Sequence, residues 1–203
     1  MSLTSTDHEM DALRLVFGLA TENASRAISR WTQGGLVLSL DDVCEATLEE
    51  AIARLGVGDQ PAVMAVLSIE GDLPGDILLT FGERDARQLC ADLTGLPANR
   101  DEPWSDIEES AIAETGNILG SAYLNALTPV VGKQMTPSPP ALIHDFGCSV
   151  VEQLLMTQAM ISETVFVSRT TFQRRNALET IDGDVLVIPS LELKDAMQQA
   201  VVG

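Results

Sequence analysis

Positive charge is scarce in this sequence. Only 12 lysines and arginines stand against 30 aspartates and glutamates, a formal net charge of −18. A surface this acidic repels a phosphate backbone, which argues against nucleic acid as a partner, and it disfavours anionic membranes for the same reason. Aromatics are scarce as well, 4% against a hydrophobic fraction of 45%, so the core is expected to be aliphatic. The cysteines Cys44, Cys90 and Cys148 are few, odd in number and far apart, with no CxxC and no zinc-type spacing. They read as reduced thiols of a cytoplasmic protein. The histidines His8 and His144 form no metal-type pair, and no Gly-x-Ser-x-Gly elbow accompanies them. His144 therefore reads as structural. No apolar run is long enough to span a membrane, and the opening "MSLTSTDHEMDAL" lacks the basic and apolar regions of a signal peptide. "GDLPGD" and "GVGDQ" lack the lysine and strand–helix context of a phosphate loop and read as turns.

What is present is a pattern written twice. The first half reads as a helix near 7–32, a strand near 35–40, a short helix from Thr47 to Gly56, two strands joined around Gly71-Asp72, and a helix stopped by Gly95 and Pro97. "LPANRDEPW", 96–104, is the most linker-like stretch. The order then recurs: a long helix near 105–128, a "TPSPP" turn into a strand, a short helix in "SVVEQLLMTQAM", two strands and a last helix. Met156 and Met160 in the short helix read as core filler. Gly75-Asp76-Ile77-Leu78-Leu79 matches Gly183-Asp184-Val185-Leu186-Val187 in pattern. Each half has one long amphipathic helix that needs a sheet face to cover. The expected fold class is therefore α/β, a single domain over 1–203. It is built as an internal tandem repeat of about 1–96 and 105–203, with pseudo-twofold symmetry and two long helices on a mainly antiparallel sheet.

The second long helix carries an unusual row. Ser110, Glu114, Asn117 and Ser121 are spaced four, three and four apart, which stacks them on one helix face. Asn and Ser are middling helix formers, so helix stability does not call for them. Taken singly, Glu114 reads as a solvated surface charge and Asn117 as a satisfied polar group. Twenty-two residues after Asn117 stands Pro140, which sets an extended entry to the next strand. Gly116 and Gly120 flank the row and permit close backbone approach.

The Ser/Asp-x3-Glu-x2-Asn-x22-Pro spacing, together with the duplicated architecture, resembles the CheC/CheX/FliY family of chemotaxis phosphatases. The resemblance is to a CheC-like domain with a single intact motif. It implies a cytoplasmic hydrolase of two-component signalling that removes the aspartyl phosphate of a CheY-like response regulator. In that family Asn117 would position the attacking water and Glu114 would pair with a lysine of the regulator. Ser110 and Ser121 would extend the binding row, and Pro140 would be structural. No cofactor is implied in this chain, because the Mg²⁺ belongs to the phosphorylated receiver. The deamidase CheD is a further partner that the family suggests. A FliM-like, non-catalytic binding module is the alternative on the same fold. Superposing the long helices in sequence sets Asp11 opposite Ser110, Leu15 opposite Glu114, Gly18 opposite Asn117 and Asp41 opposite Pro140. The first copy thus keeps only the leading acidic residue.

Overall fold

A computed structural model describes residues 7–54, 61–98, 102–146, 164–175 and 180–202. The first helix, α1, runs Asp7–Trp31 and feeds β1, Leu36–Thr47. A short α2, Leu48–Arg54, precedes the hairpin β2, Pro61–Gly71, and β3, Gly75–Gly82. Helix α3, Glu83–Thr94, closes the first half. The second half opens with α4, Asp106–Val131, followed by β4, Met135–Pro137, and β5, Ala141–Phe146. It ends with β6, Thr164–Arg174, β7, Thr180–Pro189, and a last helix, α5, Leu191–Val202. The short helix expected in 149–160, with Met156 and Met160, lies outside the described residues, as do Cys148 and the side chain of His8.

The strands form one antiparallel sheet in the order β1-β6-β7-β3-β2, with β4 and β5 both pairing the outer side of β2. Strand pairing interleaves the halves, since β1 pairs β6, β3 pairs β7 and β2 pairs β4 and β5, with β3–β7 the central pair. Leu78 faces Leu186 there, the residue it matches in the repeated Gly-Asp pattern. Ile77 faces Val187, and Leu79 faces Val185, each pair exchanging places under the repeat. A pseudo-twofold axis therefore passes through Leu78–Leu186. One continuous row, Cys44–Val167–Leu186–Leu78–Val66–Ala141, crosses the sheet from edge to edge through that point. The halves share one sheet and are not separate lobes.

Alternation along the strands divides the core in two. One face sets Val63, Ala65, Ile77, Leu79, Phe166, Val185 and Val187 against α1, α3, α4 and α5. The other sets Met64, Leu78, Val165, Val167 and Leu186 near Ala51 of α2. Helices α1 and α4 lie side by side on the first face. Phe17 meets Tyr123 edge-on at 5.2 Å between centroids, and the buried Tyr123 hydroxyl bonds Ser168 Oγ at 2.8 Å. Burial pushes the Tyr123 phenol above its ordinary range.

Three local features differ from the expectation. Strand β1 runs on to Thr47, because a register shift between Leu40 and Asp42 absorbs the Asp41-Asp42 interruption of its apolar pattern. Helix α4 continues past Pro129 to a left-handed Gly132 (φ 65°), whose N–H closes on the Thr128 carbonyl at 2.9 Å. A proline so near the end forfeits only one hydrogen bond, which the last turn tolerates. The third difference is the connection between the halves, which is fastened and not a free linker.

Candidate functional site

The fastening is built on Arg87. Its guanidinium is 3% exposed and lies 4.3 Å from the centroid of the Trp104 ring. It donates to both Glu108 oxygens at 2.8 and 3.0 Å, to Glu83 Oε1 at 3.1 Å and to the Glu102 carbonyl at 2.8 Å. Burial works against its charge, but Glu108 and Glu83 outweigh it and hold the cation above its usual range. Burial also works to raise Glu108. The Ser105 backbone N–H and Arg87 overcome it, and the carboxyl sits below its ordinary value. Glu108 is at the same time half of a capping box: its backbone N–H donates to Ser105 Oγ at 3.4 Å, and its carboxylate accepts from Ser105 N at 3.0 Å. The start of α4 is thereby tied to α3. Beside it Cys90 is a buried free thiol, pushed up to about 12 by burial. In the sequence Arg87 reads as an ordinary partner for Glu83 one turn away, and nothing local marks it as buried.

The polar row begins little more than one turn into the helix. Ser110, Glu114 and Asn117 are all exposed, and Ser121 is half-buried. Helix geometry confines the four to an arc of about 60°, with Asn117 about 4.5 Å further along the axis than Glu114. The opposite side of α4 is pressed onto the sheet. A methyl at Gly116 would come within 2.9 Å of the Ala65 side chain, and one at Gly120 within 2.9 Å of Leu67. The two glycines let the helix backbone close on β2, so the row stands outward on a helix held at short range. Pro140 is half-buried, 3.7 Å from the Gly116 position. It packs under the helix and does not join the row.

Around the row, an amide, a carboxylate and two hydroxyls are offered to solvent on a rigid support. Such a face can donate to and accept from a docked partner, and the amide can do both with one water. No cluster of three or more His, Cys, Asp or Glu side chains suited to a metal ion occurs among the described residues. His144 is exposed, contacts the Glu83 carboxylate and meets the Trp104 ring edge-on at 5.4 Å. It belongs to the fastening near the start of α4 and not to the row. No helix among the described residues is long and apolar enough to cross a membrane.

On the first copy the equivalent face has different chemistry. Asp11 is exposed and pairs with Arg14 at 3.1 Å. Leu15 is 66% exposed and Leu19 49%. Gly18 faces open space. Asp41, opposite Pro140 in the repeat, sits at the β1 register shift and accepts from the Thr171 hydroxyl.

The architecture is the CheC/FliY/CheX-like fold, one domain with two helical copies on a shared antiparallel sheet. Residues 107–144, which hold the row and Pro140, match the CheC-like family. Over 188 residues the chain is 24% identical to the CheY-P phosphatase CheC of Bacillus subtilis, covering 92% of this chain and 90% of that protein. Thermotoga maritima FliY superposes with a TM-score of 0.77 at 16% identity, covering 98% of both chains. FliM from an H. pylori FliM–SpeE complex superposes with a TM-score of 0.71 at 14% identity, covering 98% of this chain and 96% of that one.

Proposed function

We propose that this chain is a phosphatase that hydrolyses the aspartyl phosphate of a CheY-like response regulator. The observation that carries the proposal is the outward row Ser110–Glu114–Asn117 on a helix whose segment matches the CheC-like family. The relative named as a CheY-P phosphatase supports the same reading. An acyl phosphate is already activated and needs no strong nucleophile. It needs a water held in line with the leaving carboxylate. The Asn117 amide accepts from and donates to such a water without bringing negative charge to the phosphoryl group. Glu114, one turn away, anchors a lysine of the receiver through a charge-assisted bond. Ser110 and Ser121 extend the contact. The Mg²⁺ and the phosphorylated aspartate are the receiver's.

The second reading is a FliM-like module that binds a regulator, or CheD, without chemistry. FliM from the H. pylori complex carries the same fold. Phosphate release from phosphorylated CheY-type receivers, measured with the protein and with Asn117→Ala, separates the two. The phosphatase reading expects acceleration that the variant loses. Binding without acceleration by the unaltered protein would leave the module.

A further inference from the structure

A cavity of about 120 Å³ opens beside the first turns of α4, where it meets β2 and β5. Val63, Ile112 and Leu142 give it an aliphatic floor, the Trp104 ring and His144 form its wall, and Glu109 stands at its mouth. Glu109 immediately precedes Ser110 but points about 100° round the helix from it, so the cavity lies on the flank of α4 and the polar row on its crest. The polar groups of the wall are already matched: His144 contacts Glu83, and Trp104 Nε1 donates to Glu83 at 3.0 Å. Glu109 differs. It is exposed, its backbone N–H closes on the Ser105 carbonyl, and among the described residues no hydrogen bond or ion pair engages its carboxylate.

From this juxtaposition we infer that the cavity is a socket for one basic side chain of the docked receiver. The inference rests on the receiver-docking reading above and adds a second anchor to it. The volume decides the size of the occupant. Small-molecule sites run to about 300–1,000 Å³, so this one suits a single side chain and not a nucleotide. The lining decides its chemistry. A lysine or arginine lays its aliphatic stem on Val63, Ile112 and Leu142 and brings its cation to Glu109 beside an aromatic ring. An apolar occupant would cover the Glu109 carboxylate with nothing to offset its lost hydration. The net charge of −18 favours a basic visitor as well.

The test uses a CheY-type receiver activated with beryllofluoride and Mg²⁺, with Kd measured across a salt series and turnover measured on the phosphorylated form. Glu109→Gln is expected to raise Kd and KM about threefold. Glu109→Lys is expected to raise them about tenfold and to flatten the salt dependence. In both, kcat stays within about twofold of its original value, because the anchor is remote from the water-positioning amide. Leu142→Phe narrows the cavity and raises Kd with Glu109 intact. If Glu109→Lys leaves Kd, KM and salt dependence unchanged while Asn117→Ala stops turnover, the socket is wrong and the docking reading survives. If the unaltered protein binds no activated receiver, both are wrong.

Discussion

Helices α1 and α4 hold matching places across one axis, yet only α4 presents a polar row. Both feed a strand at the edge of the same sheet, and their inner faces bury similar side chains, Phe17 on one and Tyr123 on the other. Their outer faces diverge past Asp11 and Ser110: Leu15, Gly18 and Leu19 stand where α4 has Glu114, Asn117 and Ile118. The difference teaches that support and chemistry are separable in this fold. Exposed outer-face residues contribute little to the core, so one copy can lose its polar row without loss of structure. The β3–β7 pair at Leu78–Leu186 makes both copies necessary for the sheet.

The strongest way to break this comparison is through Arg87, because α1 has no equivalent clamp among the described residues. Arg87→Ala leaves Glu108 and Glu83 facing each other in a largely buried site. It is expected to cost about 3–5 kcal/mol, read from urea unfolding. The cost depends on pH. Glu108 has a folded pKa below its ordinary value of 4.5, so its contribution is fully present above about pH 4.5 and fades as pH falls through the lower folded value. The unaltered protein should therefore lose more stability in acid than the variant does. An equal loss would remove Glu108 from the account.

Next in size is Asn117→Ala, expected to lower turnover about a hundredfold with the melting temperature unchanged, since the side chain is exposed. In that background Leu15→Glu with Gly18→Asn rebuilds the row on α1, where the Gly18 position has room. Partial recovery of phosphate release would show that side chains alone separate the copies. No recovery would mean that α1 cannot reach a receiver.

Smaller effects come from the helix glycines, and they should have opposite signs. Gly116→Ala sets a methyl 2.9 Å from Ala65 and is expected to destabilise by about 1–3 kcal/mol. Gly18→Ala meets open space and is expected to stabilise by about 0.5–1 kcal/mol. Thermal melts of the two variants check both. Smallest of all, Asp11→Ala removes only an exposed pair with Arg14 and should leave turnover unchanged and stability within about 0.5 kcal/mol. A large loss of turnover would show that the first face also acts.

The repeat, the strands of a mainly antiparallel sheet and the row on α4 are legible in the sequence, because each rests on periodicity that local residues carry; the β3–β7 pairing is not, because it joins distant parts of the chain. The full length of β1 is not, since Asp41 and Asp42 break the alternation and only pairing with β6 reveals the register shift. Arg87 is hidden for a different reason. Its burial comes from residues 102–104 folding back over it, a non-local event that no window around position 87 contains. The cavity behind Glu109 is hidden likewise, because Val63, Trp104 and Leu142 are brought together only by the closed fold.

The β1–β6 pairing sets Leu36 opposite Arg174, so the first strand waits for a partner from the far end of the chain. At synthesis rates of about 5–20 residues per second, that delay is on the order of ten seconds on the ribosome. Contacts so distant along the chain also make for slow closure once the protein is released. Throughout that interval β1 lacks its β6 partner, and an unpaired strand is the kind of edge that recruits strands from other molecules. Its Asp41-Asp42 pair, set at the register shift, places two negative charges and a kink in the middle of that edge. The interruption that obscures the strand in the sequence is of the kind that disfavours pairing with strands of other molecules. Neutralising it, as in Asp41→Val with Asp42→Thr, should reveal itself first as lost soluble yield and not as an altered finished fold.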